Sequence, residues 1–367
     1  MKTIHPFLIC LLLAVPFLSC KKNKGGSETP AELQISGGGN FTMILKADKT
    51  LWSAGYNGFG QLGDGTNLAK NAPVKISDNV IFISAGISHS LFIKTDNSLW
   101  ATGQNADGQL GDGTNANKNS PVKIMDGVKM VTAGGRNSFI IKNDNTLWAT
   151  GENSLGQLGD GTTVNRSIPV KVMDDVKAVA INRYHTLILK NDNSVWATGS
   201  NGNGQLGDGT LNSRSTPVKI MSDAKAVECG FYNSMILKTD NTVWACGNNG
   251  YGQLGDGTNI QRLTPVKVAD NIVAISAGDE FCMLLKADNT LWSTGYNVDG
   301  ELGDGTNVNK STPVKVSDNI KAISAGYYHS LVLKTDNTIW ATGGNNYGEL
   351  GDGTNQSRNV FVKVYLP

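Results

Sequence analysis

Cysteine, histidine and charge of one sign are all scarce in this chain, and each scarcity excludes a class of function. Five cysteines and four histidines are spread over 367 residues, with no Cys-His spacing suited to a metal site. Lysine and arginine total 32 against 31 aspartates and glutamates, a net charge of +1. That leaves no one-sided basic excess with which to neutralise a nucleic-acid backbone, so no nucleic acid is expected as a partner. No ten-residue stretch repeats apolar residues at the helical period of 3.6, which argues against a helical solenoid. No glycine-rich loop leads into a helix to cradle phosphate, and no Ser or Cys stands with a base and an acid at fixed offsets. No catalytic residue and no cofactor is therefore expected.

The first twenty residues stand apart. Lys2 gives a positive start, Phe7 to Leu18 is apolar except for Cys10 and Pro16, and Ser19-Cys20 closes the run. This is a secretory signal in outline, too short to span a bilayer. The small residue and cysteine at its end resemble a bacterial lipoprotein processing site. The resemblance implies cleavage before Cys20, diacylation of its thiol and membrane attachment through that lipid. The alternative is an ordinary signal peptide with a chance cysteine. Lys21-Lys22 lacks the Asp of an inner-membrane retention signal, so an outer-membrane lipoprotein of the bacterial cell envelope is expected. Residues 21–32 are polar and aperiodic, a flexible tether.

What the rest contains is a repeat. Seven tryptophans fall at 52, 100, 148, 196, 244, 292 and 340, each 48 residues from the next. One unit has been copied seven times, and residues 33–367 hold the seven copies with no room for a second domain. Each copy carries short apolar runs of strand length, an Asp-Asn hairpin signal such as Asp96-Asn97, and a Gly-Asp-Gly-Thr turn such as Gly63 to Thr66. Four antiparallel strands per copy, with the Gly-Asp-Gly-Thr turn opening a longer loop to the fourth, predict an all-β, seven-bladed propeller. It is expected to be a monomer. Both termini fall at one phase of the repeat, so a blade is built either from one copy or by strand exchange between the ends.

Most of the charge is repeated too. Basic residues recur at the offsets of Lys46, Lys70 and Lys75, and acidic ones at those of Asp48 and Asp64. Local ion pairs and solvated rims are the simplest expectation. The ring Lys70, Lys118, Arg166, Arg214, Arg262, Lys310, Arg358 could crown an anion, but its spacing favours pairing with the turn Asp of the same or a neighbouring copy. The Asp of Gly-Asp-Gly-Thr reads as a turn cap rather than a calcium ligand, since no acidic ladder accompanies it. His89, His185 and His329 share an offset filled elsewhere by Phe41, Asn137, Asn233 and Phe281, which marks a structural slot. Cys229, Cys246 and Cys282 replace Ala, Thr or Ser of other copies. Small-residue substitution explains them, and a Cys229–Cys246 bridge is the alternative.

Function is sought where the copies refuse to repeat. Two positions after the first-strand glycine vary: Gly39-Asn40, Ile87-Ser88, Gly135-Arg136, Arg183-Tyr184, Phe231-Tyr232, Asp279-Glu280 and Tyr327-Tyr328. Three more flank the Asn after each Trp and hold residues such as Tyr56, Tyr251, Tyr296 and Tyr347. Eight of the nine tyrosines lie in these two sets. Tyrosines in variable turns on a fixed frame resemble a binding surface of rigid amphipathic rings. The expected contact residues are Arg136, Arg183, Tyr184, Phe231, Tyr232, Tyr327 and Tyr328, and the expected occupant is a protein partner. A glycan is the alternative, and a carbohydrate-active enzyme using Asp279 or Glu280 a more distant one.

The strings Phe82-Ile-Ser-Ala-Gly-Ile-Ser-His-Ser-Leu-Phe-Ile93 and Trp-Ala-Thr-Gly followed by Asn and Gly-Gln-Leu-Gly-Asp-Gly-Thr resemble the regulator of chromosome condensation repeat family. The resemblance covers all seven copies and implies the same propeller. Copies depart from the pattern at Asn182, in place of a glycine, and at Phe361, in place of a proline. Asn is expected to tolerate the positive φ of that glycine site. The family's archetype acts on a small GTPase in the nucleus, which a signal peptide contradicts. Secreted bacterial relatives that bind another protein with a propeller face are the better analogy, one of fold alone.

Overall fold

A computed structural model describes residues 33–366. The leader 1–20 with Cys20 and the tether 21–32 lie outside the described residues. Twenty-eight strands form seven four-stranded antiparallel sheets, and the described residues contain no helix. In blade 1 the order across the sheet is β1 (Gln34–Gly37), β2 (Phe41–Leu45), β3 (Leu51–Gly55) and β4 (Lys70–Ser77). Blades 2 to 7 repeat it over 80–125, 128–173, 176–221, 224–269, 272–317 and 320–363. Each blade is thus one contiguous copy, and the ring closes without strand exchange.

The first strands line the axis and touch one another. Ser36 accepts the backbone N–H of Ala85, Ser84 that of Ala133, and Ser324 that of Gly37. The last of these joins blade 7 to blade 1. Second strands are buried on both faces because each sheet is sandwiched between two others. In β2, Phe41, Met43 and Leu45 pack toward blade 2, whereas Ile44 packs toward blade 7. One such cluster fills every interface. Each fully buried Leu or Phe contributes about 1.5–3 kcal/mol.

The hairpin between second and third strands follows the expected chemistry. Asp48 Oδ1 accepts from the N–H and hydroxyl of Thr50, and the Thr50 hydroxyl accepts from the Trp52 indole. The position after the Asp is left-handed, with Asn97 at φ 61° and Lys49 at φ 65°.

The repeated charges resolve into three devices. The Lys70 series pairs with the turn Asp of its own copy, from Lys70–Asp64 at 3.4 Å to Arg166–Asp160 at 2.7 Å, so the cations of the crown are already neutralised. The Lys75 series pairs with the inter-blade connector, as in Lys75–Asp78 at 2.7 Å. The Lys46 series adds a contact that the charge pattern did not suggest: the ammonium groups of Lys46, Lys94, Lys142, Lys238, Lys286 and Lys334 lie over tryptophan rings, at 3.9 Å for Lys286–Trp292 and Lys334–Trp340, beside the hairpin aspartates they attract.

One alternative falls and one expectation needs correcting. Cys229 and Cys246 both pair with Ser234, on opposite sides of the second strand of blade 5. Two strand spacings separate them, about 9–10 Å, beyond the ~7 Å a disulfide can reach. All three described thiols are buried and free, and burial pushes those of Cys246 and Cys282 up to about 12. Asn182 has an ordinary negative φ, so tolerance of positive φ is not why it fits. The glycine at this offset is set by space: a Cβ at Gly86 would meet the His89 ring at 2.4 Å, and one at Gly38 would meet Phe41 at 2.2 Å. Asn182 instead turns its amide toward the Gly278 carbonyl at 3.4 Å, two blades away. Phe361 lies on Gly303 as Pro121 lies on Gly63.

Candidate functional face

Strand order puts both variable sets on one face. β1 and β3 run parallel to each other and antiparallel to β2, so the β1–β2 turn and the β3–β4 loop leave the same end of the blade. A hydrogen bond from Tyr56 N to Asn40 O at 2.7 Å ties the two together, and it recurs from Gln104 to Ser88 and from Tyr296 to Glu280. The hairpins and inter-blade connectors occupy the opposite face, from which residue 33 also enters β1.

Around the axis the turns hold hands through the backbone. Gly39 N donates to Ile87 O, Ile87 N to Gly135 O, Phe231 N to Asp279 O, Asp279 N to Tyr327 O and Tyr327 N to Gly38 O. These bonds tie together the turns of blades 1 to 3 and of blades 5 to 7 with blade 1, while the turn of blade 4 is held within its own blade by Ser200 N donating to Tyr184 O at 2.8 Å.

The side chains divide into sectors. Tyr184 of blade 4 lies 5.1 Å from Phe231 and 5.5 Å from Tyr232 of blade 5, the latter pair stacked at 18°. The Arg183 guanidinium covers Tyr184 at 5.1 Å and Phe231 at 5.8 Å. Asp279 follows in blade 6, then Tyr327 and Tyr328 in blade 7, their rings 6.3 Å apart. Six of the seven expected contact residues thus form one arc over blades 4 to 7. Arg136 stands outside it, paired with Asp107 of blade 2 at 3.2 Å. Tyr328 is 41% exposed and Tyr184, Phe231 and Tyr232 are half-buried. Tyr327 is different: its hydroxyl is fully buried, and it lies across the axis among Asp279, Arg183 and the Gly135 backbone. It plugs the channel mouth and positions the arc rather than facing outward. Outer pairs complete the face, Tyr56–Tyr347 at 4.8 Å and Tyr251–Tyr296 at 5.1 Å, each bridging neighbouring blades.

Asp279 is 9% exposed. Burial first and the Glu280 charge second raise its carboxyl to about 7, against the pull of Arg183 and a Tyr328 hydrogen bond. Burial alone raises Glu280. Clefts beside Asp299 and Asn359 and beside Asn67 and Asn119 sit at the same repeat offset; they follow from each loop leaning on the next blade's outer strand, and mark no special site. The turn aspartates are occupied: Asp64 Oδ1 accepts from Asn57, from Thr66 N and from the Thr66 hydroxyl. Among the described residues no cluster of His, Cys, Asp or Glu could hold a metal ion.

The histidines are struts. Nε2 of His89, His185 and His329 lies 3.0, 2.8 and 3.1 Å from Ser138, Ser234 and Thr42 of the next blade. Sequence reading left two groups unnoticed. Gln61 and its equivalents brace each loop by accepting the N–H two residues back, as at Phe59. In blades 6 and 7 the brace is Glu301 or Glu349, and burial pushes Glu301 up to about 7. Glu228 stands in the axial strand of blade 5 where other copies have Ser, Thr or Ala. That break in the repeat was a visible signal.

Comparison with known proteins agrees with this geometry. Among solved structures, human WBSCR16 superposes with a TM-score of 0.77 at 20% identity, over 87% of this chain and 94% of that one. Yeast RCC1 (Prp20), in its complex with Kap60, gives 0.77 at 18% identity over 94% and 90%. Prp20p of Saccharomyces cerevisiae, in a structure described with its binding to Gsp1p and histones, gives 0.76 at 20% over 93% and 87%. No curated protein sequence matches. The RCC1-like domain model matches residues 127–366, and regulator of chromosome condensation (RCC1) repeat models match 33–61 with 80–109 and 48–93 with 96–141. The chain belongs to the RCC1 repeat family.

Proposed function

We propose that this propeller is a non-catalytic binding module that holds a protein partner on the face carrying the variable turns. The observation that carries the reading is the gathering of Tyr184, Phe231, Tyr232 and Tyr328 into one arc, on turns that backbone bonds hold to their own blades' loops, as from Ser200 N to Tyr184 O, Asn248 N to Tyr232 O and Gly344 N to Tyr328 O. Rigid rings with half their surface open supply contact area at little conformational cost, and such residues dominate protein interfaces. Protein binding by the related yeast propeller, with Kap60, Gsp1p and histones, is consistent with it. A lipid on Cys20 would attach the tether 21–32 at the opposite face, because β1 begins there. The aromatic arc would then look away from an outer membrane, toward soluble or surface partners.

The test is capture from the native envelope with soluble 21–367 as bait and Tyr232→Ala/Tyr328→Ala as control. A protein retained by the first and lost by the second supports the reading. Identical sets on both baits, or no protein on either, refute it; a glycan array would then test the sugar alternative, and turnover lost on Glu280→Gln the enzymatic one. Labelled palmitate incorporation that vanishes in Cys20→Ser tests the anchor separately.

A further inference from the structure

The repeat provides its own template for what the arc lacks. In blades 2 and 3, Asp107 of the loop and Arg136 of the next turn form an ion pair at 3.2 Å. At the same two offsets, blades 6 and 7 carry Asp299 and Tyr328. The acid is kept while the cation has become a tyrosine. Asp299 uses its backbone N–H on Glu301, but its carboxylate has no hydrogen-bond or ion-pair partner among the described residues.

Neighbouring charges deepen the imbalance. Asp279 and Glu280 occupy the adjoining turn, and the Asp279 Oδ1 atom is buried without a partner. The Glu280 carbonyl receives Tyr296 N at 2.9 Å, which brings the Tyr296–Tyr251 ring pair to the rim of the same patch. The cations of these loops are already used, since Arg262, Lys310 and Arg358 bind their own Asp256, Asp304 and Asp352. Arg183 of blade 4 shows what such rings accept elsewhere on this face: its guanidinium lies over Tyr184 and Phe231. Carboxylates beside tyrosine faces attract an ammonium or guanidinium through charge and the ring quadrupole together.

We propose that the partner inserts an arginine or lysine side chain between Asp299, Glu280 and Tyr328, in the place Arg136 fills for Asp107. The proposal rests on the protein-binding reading above and names the chemistry that the partner must bring. The seat is specific for positive charge and belongs to blades 6 and 7.

The probe is a (Gly-Arg)4 peptide, with its citrulline isostere and a (Gly-Glu)4 peptide as controls, titrated into soluble 21–367 by calorimetry. The arginine peptide is expected to bind about tenfold more tightly than the citrulline one, since only charge differs. Glu280→Gln/Asp299→Asn should remove that preference, while Asp126→Asn/Asp174→Asn, an equal change of charge on the opposite face, should keep it. Equal binding of arginine and citrulline peptides, or a preference that survives Glu280→Gln/Asp299→Asn, overturns the seat. The two readings fail separately. A captured protein that needs Tyr232 and Tyr328 but is held equally by Glu280→Gln/Asp299→Asn refutes the seat and leaves the protein-binding reading intact. Charge-selective peptide binding with no captured protein does the reverse.

Discussion

Thr42 and His329, 287 residues apart in sequence, meet at 3.1 Å and close the ring between blades 7 and 1. The Thr42 hydroxyl donates to the Glu349 carbonyl at 2.7 Å, so it must accept from His329, which fixes the proton on Nε2. His89–Ser138–Gln109 and His185–Ser234–Gln205 repeat the relay. In each case blade i supplies both the histidine and the carbonyl, and blade i+1 the hydroxyl between them.

Thr42→Val keeps the shape but removes the hydroxyl, leaving Nε2–H and the Glu349 carbonyl buried without partners. A loss of about 1–3 kcal/mol is expected, read as a lower urea midpoint with unchanged slope. Because this interface lacks a covalent connector, Thr42→Val should also speed unfolding more than Ser138→Ala does. Equal unfolding rates would show that the seam is no weaker than the other interfaces.

Acid should unfold the protein through these histidines. All three rings are fully buried, Nδ1 is unpartnered, and burial lowers them to about 4, 3 and 4 for His89, His185 and His329. An unfolded histidine takes a proton below about pH 6.5, while the folded ring stays neutral, so stability is full above that pH and falls below it. At about pH 5 the cost is roughly 2 kcal/mol per histidine. The variant with Asn at 89, 185 and 329, the residue of copies 3 and 5, should lose correspondingly less stability between pH 7 and pH 5. Parallel stability curves would contradict this.

Nearly all of the fold was legible because copying makes one unit speak seven times. The Trp spacing, the Asp-Asn hairpin and the Gly-Asp-Gly-Thr turn each carry a local mechanism, and the structure realises all three. The identity of the face was not legible. Whether Tyr56 and Tyr184 share a side depends on the parity of strands between turn and loop, which only the pairing of β1 with β2 and β2 with β3 reveals. Tyr327 misleads for a related reason: its neighbours are residues 135, 183 and 279, brought together across the axis. The contact of Lys46 with Trp52 went unread because charge is visible in sequence, whereas a ring six residues on is not obviously beneath it.

Lys49 offers a test of local strain. It sits at φ 65° in the hairpin position that six other copies give to Asn. Asn relieves the left-handed penalty, about 1 kcal/mol for a residue without its local hydrogen bonding. Lys49→Asn should therefore raise the thermal midpoint by a few degrees at most, with Asn97→Lys lowering it by as much. Opposite signs for the pair confirm the cause, and a fall in both would assign Lys49 a role that strain does not capture.

Glu228 should make the protein weaker as pH rises. Part of its surface is open to the channel, yet protein surrounds it, and burial pushes its carboxyl up to about 8. Between roughly pH 4.5 and 8 the folded chain keeps a proton that the unfolded chain has lost, so its contribution is full below that window and declines through it. Ionisation then leaves a half-buried carboxylate with no hydrogen bond among the described residues, a few kcal/mol by about pH 8 even after allowance for channel water. Glu228→Ser restores the hydroxyl that Ser276 offers to Ala325 N at 2.9 Å, and should raise stability at pH 8 while changing it little at pH 5. A gain that is equal at both pH values would mean the carboxylate is solvated in the channel and the advantage of serine is only its hydrogen bond.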